Sequence, residues 1–230
     1  MDNLQLLDAY RDVRTRCMGI GRSLTPEQAA VVSPCCPDWT VKDLFAHMVG
    51  VAVDMIEGNL EGVATEPWAD AQVARRANDD LPTILDEWDG TVEQIDAFLT
   101  KLADRIPPPF FIDAWTHEWD VRQALGLTAV PDLALPRYVR DAILQRNQQL
   151  AEEHGMAPTR LVVEDGSHST DVVLCTGEPE DVIAMSLFEL MRLSMGRRSR
   201  TQISALAPGA NPDVLVIWSP ADTDIVDPLA

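Results

Sequence analysis

The chain has 230 residues, 46% hydrophobic and 24% charged, a composition of soluble globular proteins with one or two domains rather than of disordered chains. Its formal net charge is −19, with 37 acidic side chains against 18 basic ones, so its field repels phosphate backbones and argues against nucleic acid or anionic membranes as partners. No run approaches the roughly 18 apolar residues of a membrane span, and the opening residues from Met1 lack a basic segment followed by an apolar one, so a cytoplasmic location is expected.

Leu6, Tyr10, Val13, Cys17, Ile20 and Leu24 recur every three or four residues and predict a helix over about 3–23 with one buried stripe. A second helix is expected from Thr40, where Asp43 three residues on completes a variant capping box, to about Gly58. The glycine-punctuated stretch that follows, to Leu81, predicts a long connection with one short helix after Pro67, and connections of this length often border a site. Leu85, Trp88, Val92, Ile95, Leu99, Leu102 and Ile106 predict one continuous helix over 82–105. Pro107, Pro108 and Pro109 break it and start the next, which carries Phe110, Ala114, His117, Val121 and Leu125 on one stripe and stops at Gly126. Four helices of this length suggest an up-and-down bundle over residues 1–130.

After Val130-Pro131 the texture changes. A helix from Pro136 to about Glu153 precedes two β-branched runs, 160–165 and 171–176, that flank Gly166-Ser167-His168-Ser169 and read as a hairpin. A further helix from Glu180 to about Met195, ending at Gly196, and strands at 201–206 and 214–218 complete the expected small α+β domain, 131–230. The fold class is therefore mainly α, with an α+β C-terminal part.

The residues that can carry chemistry are few. Asp113 and His117, at i and i+4 on one helix, can present a carboxylate oxygen and an imidazole nitrogen to one ion, and His47 on the second helix would make a third ligand. Two imidazoles and one carboxylate suit a divalent metal such as zinc with one position left open. Spacing alone leaves a second reading standing, in which each histidine is a hydrogen-bonded core residue. His117-Glu118 is not the start of a zinc-protease motif, because position 121 is valine. Asp54 and Asp120 are candidate acceptors behind the histidines or solvated acids. Arg197, Arg198 and Arg200 are candidate anion binders or a basic helix end. Of the cysteines, Cys17 and Cys175 are solitary and Cys35 and Cys36 adjacent, so no disulfide framework or Cys-x-x-Cys site is spelled out, and inert thiols are expected.

Cys36-Pro37-Asp38-Trp39-Thr40-Val41-Lys42-Asp43-Leu44-Phe45-Ala46-His47, paired with Asp113-Ala114-Trp115-Thr116-His117-Glu118-Trp119-Asp120, resembles the maleylpyruvate isomerase family of mycothiol-dependent enzymes. The segment Phe188 to Arg200 is also similar to that family's second domain. The resemblance implies a DinB-like metal-binding bundle in which His47, Asp113 and His117 hold a divalent ion, expected from the donor set to be zinc; the carboxylate is glutamate in the family's isomerases and aspartate here. It implies mycothiol as cofactor, a small electrophilic substrate, and an isomerase or S-transferase acting as monomer or homodimer. A non-catalytic metal-binding or ligand-binding module on the same fold is the alternative.

Overall fold

The structure, a computed structural model, describes residues 3–102, 108–179, 181–208 and 210–230. The chain divides into two compact units, one of Met1–Ala129 with Ala230 and one of Val130–Leu229.

The first unit opens with α1 (Asn3–Ser23) and a single-turn α2 (Pro26–Ala29). Two short antiparallel strands follow, β1 (Val32–Ser33) and β2 (Cys36–Thr40), with an irregular register at Val32/Ser33. Strand β2 runs directly into α3 (Val41–Glu57) through a full capping box: the Thr40 hydroxyl accepts from the Asp43 amide, and the Asp43 carboxylate accepts from the Thr40 amide. That cap fixes the angle at which α3 leaves the strand. Gly58, in the left-handed region at φ 74°, ends α3.

Helix α3 is apolar on nearly all sides because it is surrounded: it packs against α4 (Glu66–Arg75), α5 (Leu81–Gly90), α6 (Val92–Leu102) and α7 (Pro108–Leu125). Helix α1 closes the far side against α5, α6 and α7. The approach of α4 to α3 is close. A Cβ on Gly50 would lie 2.4 Å from the Gln72 Cβ, so only glycine admits this crossing.

The expected single helix over 82–105 is two helices. The chain breaks at Thr91, whose amide and hydroxyl both bond the Trp88 carbonyl, and α6 restarts from the Thr91 carbonyl. The buried stripe nevertheless runs through the break, with Leu85, Trp88, Ile95 and Leu99 all excluded from solvent, which is why periodicity alone concealed it. The expected last turn at 103–105, together with Ile106 and Pro107, lies outside the described residues.

The second unit holds α8 (Ala134–Glu153) and a three-stranded sheet of order β4-β3-β5, made by β3 (Thr159–Asp165), β4 (His168–Leu174) and β5 (Asp181–Ser186). The expected hairpin is β3–β4, antiparallel in register from Thr159↔Leu174 to Asp165↔His168. Three other assignments are corrected. Residues 181–186 form a strand parallel to β3, and the helix starts only at α9 (Leu187–Ser194), capped by Ser186. Residues 201–206 belong to α10 (Arg200–Leu206), whose Ser199 and Gln202 form a capping box. Residues 214–215 lie in α11 (Pro212–Leu215), capped by Asn211, and Ile217-Trp218 are not strand. Among the described residues no helix is long and apolar enough to cross a membrane.

Candidate metal centre

His47 is donated by the middle of α3 and Asp113 and His117 by successive turns of α7, and the structure brings the three together. His47 Nε2 lies 3.4 Å and His117 Nε2 3.5 Å from the same Asp113 oxygen, Oδ1, and all three donor atoms fall within 4.8 Å of one another. The imidazole rings stand edge to face, centroids 4.9 Å apart at 84°. Both separations exceed the 2.7–3.2 Å or so of a good N–H···O hydrogen bond. A tetrahedral ion with bonds of about 2.0–2.1 Å would set its ligand atoms roughly 3.3–3.4 Å apart, so both nitrogen–oxygen separations suit a zinc-like ion.

The imidazole side chains are 6% and 8% exposed, whereas the Asp113 side chain keeps 26% of its surface, which makes Asp113 the side open to solvent. Burial by itself would push the Asp113 carboxyl up, but the two imidazoles prevail and hold it well below the usual carboxylate range. Burial would likewise lower His117; the Asp113 charge, aided by Asp120, reverses this and holds its imidazolium well above the ordinary imidazole value. Without a cation, the site is thus a buried imidazolium–carboxylate pair, and a metal would take the place of the proton.

Behind the donors, His117 Nδ1 lies 2.9 Å from Oδ2 of the fully buried Asp120. Donation of Nδ1–H to that carboxylate leaves the Nε2 lone pair facing Asp113 and His47, the arrangement that orients metal-bound histidines. His47 has no such support, and its buried Nδ1 lacks a hydrogen-bond partner. Its ring is held by aromatic walls instead. Trp39 of β2 lies 5.0 Å from His47 and 6.2 Å from His117, and Trp68 of α4 meets His47 edge-on at 6.5 Å.

Asp54 does not reach a histidine. Its buried carboxylate accepts from Gln72 and Arg75 of α4 at 2.7–2.8 Å and from Asn59 at 3.0 Å, which pins α4 and the loop before it onto α3. Trp68 is held in turn by its indole N–H on the Asn59 carbonyl. Trp115 and Trp119 are core residues, and Glu118 is a buried acid shared by Arg16 of α1 and Arg122. Sequence reasoning missed Trp68 and Cys36. Cys36 Sγ approaches Asp120 Oδ2 to 3.8 Å, and nothing in the spacing of residues 36 and 120 announces it. Cys17 is buried, and burial pushes its thiol well up, as expected of an inert cysteine.

The candidate anion binders belong to the second unit. Arg198 is buried, with Nη2 at 2.7 Å from Glu189 and 2.9 Å from Asp227; Arg192, fully buried, lies 2.9 Å from the other Asp227 oxygen. These guanidiniums serve internal carboxylates. Arg197 bonds the Met195 carbonyl, and Arg200 pairs with Asp213 at 2.9 Å.

The class so defined is a helical domain with a candidate His–Asp–His metal centre, followed by a small α+β unit. Residues 10–121, nearly all of the first unit, match the family model described as the mycothiol maleylpyruvate isomerase N-terminal domain. The fold as a whole is similar to the crystal structure of the mycothiol-dependent maleylpyruvate isomerase, with a TM-score of 0.55 and 16% identity over 93% of this chain and 96% of that one. A histidine-to-alanine mutant of that isomerase gives a TM-score of 0.54 at 14% identity over the same shares. At these identities the likeness is one of fold. No curated protein matches the chain.

Proposed function

We propose that this protein is a metal- and thiol-dependent enzyme of the maleylpyruvate isomerase type, in which His47, Asp113 and His117 hold a divalent ion, zinc by its donor set, and mycothiol is the thiol. The observation that carries this reading is the convergence of two imidazole nitrogens on one carboxylate oxygen at 3.4 and 3.5 Å. A bound divalent ion would supply a Lewis acid that lowers the pKa of a thiol at its open position, making thiolate available at neutral pH.

The chain's own residues prepare that position. Asp120 fixes the His117 tautomer, Trp39 and Trp68 keep water from His47, and the half-buried Asp113 marks the approach. The reaction class is addition of the thiol to an electrophilic carbon of a small molecule. Expulsion of the thiol after rotation makes an isomerase, and retention of the sulfur makes an S-transferase; both use the same side chains.

Calorimetric titration of the zinc-loaded protein with mycothiol tests the reading. Saturable binding that disappears in His117→Ala is expected. Metal binding with no mycothiol affinity would instead assign the chain as a non-catalytic module.

A further inference from the structure

A second group of donors adjoins the first and uses the opposite face of the same imidazole. Cys36 Sγ, His117 and Asp120 bring a sulfur, a nitrogen and an oxygen within 4.8 Å of one another. Strand β2 carries Cys36 across to α7, where its Sγ lies 3.8 Å from Asp120 Oδ2; the same oxygen is 2.9 Å from His117 Nδ1. On a tetrahedral zinc-type ion, a thiolate sulfur and a carboxylate oxygen sit about 3.5–3.6 Å apart, and nitrogen and oxygen about 3.3–3.4 Å. The sulfur–oxygen separation is thus close to what an ion needs, and the His117–Asp120 contact has to open by roughly 0.4 Å. Cys36 is half-buried, so ions can reach it, while Asp120 and His117 are buried.

We propose that Cys36, His117 and Asp120 form a second cation position, selective for thiophilic divalent ions, that competes with the first for His117. The selectivity follows from the donors. The first position offers only nitrogen and oxygen, whereas the second adds a thiolate, which favours soft ions. The competition follows from the imidazole. A neutral ring has one nitrogen lone pair, and it can be aimed through Nε2 at Asp113 and His47 or through Nδ1 at Cys36 and Asp120, but not both. Binding at the second position releases the proton of the Cys36 thiol and the Nδ1 proton of the His117 imidazolium to solvent and leaves the remaining ring proton on Nε2, so the first position loses a ligand.

Cadmium titration, followed by sulfur-to-cadmium charge-transfer absorption in the ultraviolet with a phosphine as reductant, provides the test. The wild type and Cys35→Ser should each develop the band with about one equivalent of cadmium, and Cys36→Ser should lose it. His47→Ala should keep the band, because that residue belongs to the first position only. Loss of the band in His47→Ala would mean one shared site with Cys36 as a fourth ligand, and would overturn the proposal. So would a band absent from the wild type, or one that follows Cys35 instead of Cys36. Failure of the first metal position leaves the band and its Cys36 dependence unchanged, so the two readings fail separately.

Discussion

At the scale of single residues, the two histidines of the candidate centre are held by different means. His117 is oriented by a carboxylate at 2.9 Å, whereas His47 is oriented by packing against Trp39 and Trp68 and leaves Nδ1 without a partner. The difference makes Asp120 the residue behind the ligands whose loss should be felt most. Asp120→Asn keeps the shape but can present an amide N–H in place of an acceptor, which no longer selects the tautomer with a free Nε2. Zinc affinity should fall about 10–100-fold, as for other partners of metal-bound histidines, while the thermal melting of the metal-free protein changes little by comparison. Competition against a chromogenic chelator measures the first quantity, and an unchanged affinity would show that Asp120 does not orient the ring. The Asp113–His117 pair was legible in the sequence because i, i+4 spacing on a helix leaves little freedom. Cys36 beside Asp120 was not legible, since 84 residues and four helices separate them.

At the scale of elements, boundaries with local chemistry could be read and those set by tertiary packing could not. The Thr40–Asp43 capping box, Gly58 and Gly126 mark their helix ends through side-chain caps and left-handed glycines. In β5, Val182, Ile183, Ala184 and Met185 are all apolar although only Ile183 and Met185 are buried, so the alternation that defines a strand is invisible. The helices α10 and α11 did carry signals, Ser199-x-x-Gln202 and Asn211-Pro212, which their β-branched and apolar content outweighed. Asp54 shows how an element is kept in place. Burial opposes its charge, but Gln72, Arg75 and Asn59 together hold its carboxyl below the ordinary value of about 3.9. A group with a depressed folded pKa stabilises the fold fully above its unfolded pKa and loses that contribution as pH falls through the folded one. The stability of the wild type, with chelator present, should therefore decline from about pH 4 downward partly through Asp54. Asp54→Asn should be less stable at pH 7 and show a shallower acid limb in urea unfolding. An acid limb of unchanged slope would contradict this account of the α3–α4 contact.

At the scale of the whole molecule, the net charge of −19 gives a field that repels phosphate backbones. Residues 10–121 match the model of the mycothiol maleylpyruvate isomerase N-terminal domain, and position 113 within them is an aspartate. The geometry around it is symmetric: α7 presents Asp113 with its Oδ1 equidistant, to 0.1 Å, from both imidazole nitrogens at 3.4 and 3.5 Å. The central claim is that this oxygen and the two nitrogens hold one divalent ion. Elemental analysis of the protein purified without added metal and dialysed against zinc tests it most directly, run beside His47→Ala and His117→Ala. The account predicts about one zinc per wild-type chain, retained through dialysis, and its loss in both variants with the helical circular dichroism unchanged. A wild type that holds no divalent ion, or variants that hold it as tightly, would contradict it.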